Sequence, residues 1–319
     1  MSRTLGVDHG TRGIRFCLLD GLDTRFFEVS RNEVEVTSIT GLLEKQGFLD
    51  VDLIGLTYSM ADAINRITNI DRVKNRGQVE TVTGEYVGGG TRLFDEISGS
   101  KIKAVLIPGL HRGIDCIDSR FKLLYSHMAA SEKTALAYHA FNQVNRESDV
   151  ESMIIADISS NTVTIGIKDG KFFGAVDACL GASGLLHGPL DLSAIRRVDS
   201  GGVSANKAFY SAGVSQKAGL ESEDILNGRS GEERLARDTL IMAAEMEISG
   251  LAAIVEPQAI AIAGSAGIHK NIYPKLEKKL GKIAPVTRLD ANSAAMGAAE
   301  IARDIQLGKK DFLGIGVDL

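Results

Sequence analysis

The apolar positions of this chain gather in short runs separated by polar stretches rich in Gly, Asp and Asn. Runs at 4–7, 14–19 and 24–29 predict three β-strands in a meander, each bounded by turn residues and too short for a helix. Over 36–46, Ile39, Leu42 and Leu43 recur at helical spacing. The stretch 52–58, DLIGLTY, reads as a buried strand, and 59–90 carries no regular pattern. Gly88, Gly89 and Gly90, with Thr91, form a loop that feeds an amphipathic segment. A strand at 102–107 stops at Pro108-Gly109. Ser119 is placed to cap a helix running through Leu124, and Ser131 opens a longer helix, SEKTALAYHAFNQV.

The second half repeats the opening. Strand-like runs at 153–158, 162–167 and 171–176 follow the same order of strand, polar turn, strand, Asp-Gly turn, strand. LGVDHGTRGIRFCLLDG thereby has an echo in IIADISSNTVTIGIKDG, with Asp8 and Asp157 each at the end of a first strand. Such a repeat implies a duplicated pair of similar domains. A long glycine-rich loop with Arg196 and Arg197 is expected over 181–202. A helix at 232–255, a strand at 259–263, a helix at 273–280 and a strand at 286–289 follow. DANSAAMGAAEIARDI closes the series as an alanine-rich helix whose small residues allow another element to approach closely.

Composition narrows the function classes. The chain has 319 residues, with 44% hydrophobic and 24% charged, an ordinary globular balance. A net charge of -5 argues against a nucleic-acid binder that depends on phosphate neutralisation. Cys17, Cys116 and Cys179 are too far apart for a thiolate metal site, which suits a reducing, cytoplasmic setting. The chain has no apolar signal core and no long uncharged run, so neither membrane insertion nor export is expected. The first hairpin is chemically richer than a plain turn. Asp8 can bind Mg²⁺, Gly10 allows close approach and the Thr11 hydroxyl can donate to a phosphate.

Five features stand in fixed order: the Asp8 hairpin, the small-residue helix at 131–138, the Asp157 hairpin, Gly264-Ser265-Ala266-Gly267 after a strand, and the final Ala/Gly helix at 292–302. This order resembles the actin, heat-shock-chaperone and sugar-kinase superfamily. The resemblance implies an α/β fold of two duplicated actin-like ATPase (ribonuclease H-like) domains with a nucleotide cleft between them. The first domain would span 1–148, with a C-terminal segment at about 292–319 packing back on it, and the second 149–291. Within the superfamily, YHAFNQ (138–143), GPLDLSAIRRVDSGG (188–202) and GEYVGGGTR look like segments of acetate and butyrate kinases. The full-length pattern, carried by VKNRG, GEYVGGGTR, IPGLHRGID, LYSHMAASEK and GPLDLSAIRRVDSGG, resembles the methanogenesis marker protein 12 family of methanogenic archaea.

These resemblances imply ATP and Mg²⁺ as ligands, with Asp8 as metal contact and Gly10 and Thr11 at the phosphates. Asp157 would face them from the second domain. Ser159, Ser160 and Asn161 stand where the kinases have glycines, and their side chains can donate instead. Gly264, Ser265 and Gly267 would support the adenosine. Arg197 matches an arginine that contacts the transferred group, and Asp115 or Asp118 an acidic residue near the acceptor. Arg92 and Arg112 can present planar donors to an anion. His111, after a strand, is a general-base or anion-contact candidate, and His187 a weaker one. Three functions stay open: a phosphotransferase of the acyl-kinase type acting on a small carboxylate or related anion, a nucleotide-gated ATPase or assembly factor serving an unidentified methanogenesis protein, and a non-catalytic nucleotide-binding protein. A homodimer is expected by analogy with acyl kinases.

Overall fold

The first two strands are buried on both faces, which is why they read as continuous apolar runs rather than as alternations. The computed structural model describes residues 2–10, 13–30, 33, 38–58, 61–73, 79–80, 86–87, 93–100 and 102–319. Strands β1 (Arg3–His9), β2 (Gly13–Asp20) and β3 (Asp23–Ser30) form the expected antiparallel meander. One face contributes Leu5, Val7, Ile14, Phe16 and Leu18 to the main core, and the other turns Cys17 and Leu19 toward Ala295 and Ala299.

Helix α1 (Ile39–Lys45) is capped by Ser38, whose Oγ accepts from the Gly41 N–H at 3.2 Å. There follow β4 (Leu53–Thr57), β5 (Ile67–Asn69), β6 (Val79–Glu80), β7 (Tyr86–Val87), α2 (Leu93–Gly99), β8 (Ala104–Ile107), β9 (Leu110–His111), α3 (Ser119–Leu124), β10 (His127–Ala129) and α4 (Ser131–Val144). Strand β4 lies parallel to β1, and β8 parallel to β4. One expected cap is corrected. Asp118, not Ser119, caps α3, its Oδ1 accepting from the Arg120 N–H at 2.9 Å. Ser131 is spent on the residue after β4 rather than on its own helix. Its Oγ accepts from the Tyr58 N–H at 2.7 Å and donates to the Tyr58 carbonyl at 2.6 Å.

The middle of the chain builds β11 (Met153–Ile158), β12 (Thr162–Lys168) and β13 (Lys171–Val176). After these come α5 (Leu192–Asp199), α6 (Ala205–Tyr210), α7 (Val214–Ala218), α8 (Ser222–Asn227), α9 (Gly231–Val255), β14 (Ala259–Ala263), α10 (Tyr273–Leu280) and β15 (Val286–Arg288). Helix α9 opens with a capping box in which Ser230 and Glu233 satisfy each other's backbone N–H. The expected loop at 181–202 contains α5, capped by Asp191. Its residues are all at least partly exposed, although Leu192, Ile195 and Val198 recur at helical spacing.

The chain then returns to its beginning. Helix α11 (Ser293–Gln306) and strands β16 (Asp311–Phe312) and β17 (Ile315–Asp318) pack with the N-terminal elements, β17 joining β5 in parallel. Glycines let α11 lie directly on the sheet. A Cβ at Gly6 would stand 2.0 Å from the Ala295 carbonyl oxygen, and one at Gly55 2.2 Å from that of Ala298. On its opposite face, Gly297 meets α4, where a Cβ would stand 1.9 Å from the Ala135 carbonyl oxygen. Glu300, buried on α11, is satisfied by His139 Nδ1 at 3.0 Å and Arg146 Nη2 at 3.1 Å.

Two compact units result, Met1–Arg146 with Asn292–Leu319, and Glu147–Ala291. Each holds a sheet with the same core order. In the first unit it runs β3-β2-β1-β4-β8 within a sheet of eight described strands, and in the second β13-β12-β11-β14-β15. The pairing senses also agree: antiparallel through the meander, parallel beyond it. The duplication inferred from the sequence is thus a duplication of topology.

Candidate functional site

In the first unit Asp8 is the next-to-last residue of β1 and is only 3% exposed. The hairpin register sets Arg15 directly across from it, and Arg15 Nη1 donates to Asp8 Oδ2 at 3.3 Å. Arg15 also approaches Glu28 on β3, its Nε 3.5 Å from Oε1. The aspartate is therefore an oriented carboxylate. Gly10 follows the strand. A Cβ there would meet nothing closer than the Gly13 carbonyl oxygen at 3.2 Å, so internal packing alone does not dictate glycine. Thr11, Arg92 and the loop 88–90 lie outside the described residues.

The carboxyl ends of β1 and β4 are knitted together just behind this carboxylate. The His9 N–H donates to Thr57 Oγ1 at 3.1 Å, and Thr57 Oγ1 donates to the Val7 carbonyl at 2.8 Å. Tyr58 is fully buried between His9 and Phe94, a packing residue.

In the second unit Asp157 holds the matching next-to-last place in β11. Here the structure brings two of the expected motifs together. Gly264, with φ +84°, sits against Asp157, where a Cβ would fall 2.3 Å from Asp157 Oδ1. The Ala266 and Gly267 N–H groups both donate to the Ile158 carbonyl, at 3.0 and 2.8 Å. Ser265 stays exposed at the tip, while Gly267 is buried.

The turn Ser159, Ser160, Asn161 is fixed rather than open. The Ser159 N–H donates to the Asn161 carbonyl at 2.8 Å. The Leu185 N–H donates to the Ser159 carbonyl, and the Leu186 and His187 N–H groups to that of Ser160, all at 2.9 Å. Gly184 makes this approach possible, since a Cβ would stand 2.4 Å from Asn161 Cα. The loop carrying these donors is anchored by Glu247 of α9. Its carboxylate accepts from the Thr164 hydroxyl on β12 and from the Ala182 N–H at 2.6 Å, and a Cβ at Gly181 would collide with it. Burial pushes the Glu247 carboxyl up to about 7, with the negative charge of Asp177 adding to the effect and the two hydrogen bonds opposing it.

Other expected residues take different places. Arg197 is exposed on α5 and Asp115 is exposed in the turn before α3. No described hydrogen bond or ion pair ties either side chain to a hairpin. Asp118 is spent as a helix cap. His111 is corrected from base to strut. Its Nδ1 accepts from the Gly113 N–H at 3.1 Å, which leaves Nε2 as the donor to the Ile64 carbonyl at 2.9 Å. His187 packs against Phe209 and Tyr210, and burial lowers its pKa despite the opposing charge of Asp177. Cys17 is buried, Cys116 half-buried with its thiol donating to the Leu313 carbonyl, and Cys179 exposed. Burial holds the Cys17 thiol up at about 12, so it is not a thiolate at neutral pH. Among the described residues no helix is long and apolar enough to cross a membrane.

The residues that sequence reasoning missed are Arg15 and Glu247. A hairpin register drawn from the Gly13 turn points to Arg15. Nothing local points to Glu247, whose partners lie 83 and 65 residues away.

No family model matches the chain. Among solved structures, the acetate kinase from Entamoeba histolytica superposes with a TM-score of 0.62 at 11% identity, covering 94% of this chain and 99% of that one. The propionate kinase from Francisella tularensis gives 0.61 at 11% identity, covering 95% and 100%. A ROK family glucokinase from Streptomyces griseus, solved with glucose and AMPPNP, gives 0.54 at 15% identity, covering 95% and 99%. These likenesses show the fold, the two-domain actin-like fold of sugar and acetate kinases. Sequence relatives are much nearer. The UPF0285 protein of Methanocaldococcus jannaschii is 46% identical over 329 residues, spanning 99% of both chains. That of Methanothermobacter thermautotrophicus is 41% identical over 333 residues, spanning 99% of this chain and 98% of its own. With that identity along nearly its whole length, the chain belongs to the UPF0285 family of methanogenic archaea.

Proposed function

We propose that this protein binds Mg²⁺–ATP and transfers the terminal phosphoryl group to a small acceptor, as a cytoplasmic phosphotransferase. The observation that carries the reading is the repeated placement of a carboxylate. Asp8 and Asp157 occupy the same next-to-last position of the first strand in two sheets of identical core order. Ligands of open α/β sheets bind outside the carboxyl ends of their strands, where both aspartates stand. In the second unit, the turn Gly264–Gly267 closes on Asp157 and suits the nucleoside. The glucokinase with this fold was solved with an ATP analogue, which favours a nucleotide here.

The donor set fits a magnesium ion that arrives with its nucleotide. Among the described residues no three His, Cys, Asp or Glu side chains gather to hold a metal by themselves. Mg²⁺ needs no such cage, since it binds through one or two carboxylates, phosphate oxygens and retained waters. Asp8 would supply the carboxylate, with Arg15 keeping it oriented. The ion would neutralise charge on the phosphates. A coupled assay of ADP release tests the transfer. Asp157→Asn is expected to slow the Mg²⁺-dependent rate about 100-fold while ATP binding persists. An unchanged rate would contradict the reading.

A second reading is a nucleotide-gated ATPase that serves a protein partner of methanogenic metabolism, in keeping with the methanogenesis marker protein 12 resemblance. The observation in its favour is that the UPF0285 relatives come from methanogens. It requires slow ATP hydrolysis that a methanogen extract accelerates and that small acceptors leave unchanged.

A further inference from the structure

Helix α9 is apolar on two opposite faces. With about 3.6 residues per turn, Leu240, Ala244, Ile248, Leu251 and Val255 share the face that is buried in the second unit, where α9 packs on β11 and β12. Leu235, Met242 and Met246 stand on the opposite side and are 69%, 52% and 66% exposed. With Thr239, Ser249 and Ala253 they recur at alternating steps of four and three residues, the spacing of a helix–helix seam. The core of the unit does not use this second stripe.

Gly250 lies along one edge of the stripe, in the interior of a helix of 25 residues. Glycine is the least favoured helix residue after proline, and it serves where another backbone must come close. Gly6, Gly55 and Gly297 each serve that way, set against a carbonyl oxygen of a packed helix. At Gly250 nothing in the chain comes close, and a Cβ would meet no described atom within 4 Å. The room there is open to an element from outside the chain.

The other edge of the stripe carries Asp238 and Glu245. Each is met by a lysine of α10. Lys275 Nζ donates to Asp238 Oδ1 at 2.7 Å, and Lys279 pairs with Glu245. Two more lysines, Lys278 on α10 and Lys282 just beyond it, are exposed and make no ion pair among the described residues. All four lysines line a groove of about 450 Å³ with Asp238 and Ile241. This edge therefore holds a surplus of positive charge, on a chain whose net charge is -5.

We propose that the outer face of α9, with the lysine row beside it, docks an amphipathic helix of a partner protein whose apolar stripe is edged with acidic side chains. Leu235, Met242 and Met246 supply the apolar anchors, and the unbranched methionines reshape to fit what they meet. Lys278 and Lys282 pair with the acidic edge, and Gly250 admits the partner's backbone. A second copy of this chain does not match these charges. Two copies of α9 paired antiparallel about a two-fold axis set each edge against itself, lysine row against lysine row. Paired in parallel, Lys278 and Lys282 meet the edge of Ala243 and Gly250, whose carboxylate, Glu232, lies away in the first turn. The helix dipoles then also lie side by side in the same sense, which is unfavourable.

The test is fluorescence anisotropy with the whole protein and two synthetic helical peptides about three heptads long. The peptides share one leucine stripe and carry either glutamate or lysine along its edge. The glutamate peptide is expected to bind with a Kd on the order of 10 μM at low salt, about tenfold tighter than the lysine peptide, and to weaken as salt is raised. Lys278→Glu combined with Lys282→Glu should reverse that preference. Gly250→Leu should weaken binding about tenfold or more, while its urea midpoint stays at or above that of the wild type, because leucine is the better helix former. Failure of the glutamate peptide to bind overturns the proposal, and so does equal affinity for the two peptides. Gly250→Leu that binds as tightly as the wild type overturns it, and a lowered midpoint overturns it by showing the room already filled. Two other occupants have their own signatures, each of which overturns it. Uptake of phosphatidylglycerol vesicles that the double lysine variant abolishes, without uptake of the glutamate peptide, assigns the face to a membrane. A dimer in sedimentation that Gly250→Leu dissolves assigns it to a second copy.

Discussion

Glu247 is the residue whose protonation reaches furthest into the site, because its carboxylate holds the loop that in turn holds the Ser159–Asn161 turn. A carboxyl raised from 4.5 to about 7 binds a proton in the folded state that the unfolded chain has already released. Between about pH 4.5 and about 7 the native state therefore carries more protons, and stability falls as pH rises through that window. Glu247→Gln keeps a hydrogen-bonding group but cannot titrate. Chemical denaturation at pH 5 and pH 8 should show the wild type losing on the order of 3 kcal/mol more than the variant over this range, from ~1.4 kcal/mol per pH unit. Equal pH slopes in the two proteins would remove Glu247 as the cause. Asp8 and Asp157 were legible in the sequence because a strand, an aspartate and a turn recur in the same order. Arg15 was one register step from legible. Glu247 was not, since its partners meet it only after the chain has folded.

At the scale of elements, the packing of α11 decides the integrity of the first unit. Its closest contacts with the sheet are backbone contacts across Gly6 and Gly55, with Thr4 Oγ1 donating to the Ala299 carbonyl at 3.1 Å. Gly55→Ala places a methyl 2.2 Å from the Ala298 carbonyl oxygen, which the helix can relieve only by moving off the sheet. Overpacking of this kind costs about 1–3 kcal/mol, and loss of the attendant hydrogen bond adds to it. A urea midpoint unchanged by Gly55→Ala would contradict the packing described. The alanine-rich pattern disclosed the helix and its small face, and strands buried on both faces disclosed themselves as apolar runs. Helix α5 reads as loop although Leu192, Ile195 and Val198 recur at helical spacing, because glycines and a proline crowd both of its ends. The two-residue strand β9 and the three-residue strand β10 are too short to leave a period, although they carry His111 and His127.

The molecule as a whole is a topology used twice, each copy presenting an aspartate at the end of its first strand. That repetition is the strongest signal in the sequence, and together with the glycine turn at 264–267 and the final small-residue helix it points to the actin-like fold. The acceptor is less legible. The resemblance to acyl kinases favours a carboxylate through Arg197 and Asp115, and the structure leaves both exposed. Assignment of Asp8 to a Mg²⁺–nucleotide site is decided by calorimetric titration of ATP into the wild-type protein and Asp8→Ala, each with and without Mg²⁺. Wild-type protein is expected to bind with a Kd on the order of micromolar. Removal of either Mg²⁺ or the Asp8 carboxylate should weaken binding at least tenfold, about 1.4 kcal/mol. Wild-type protein that takes up no ATP, or binding indifferent to both Mg²⁺ and Asp8, would rule the site out.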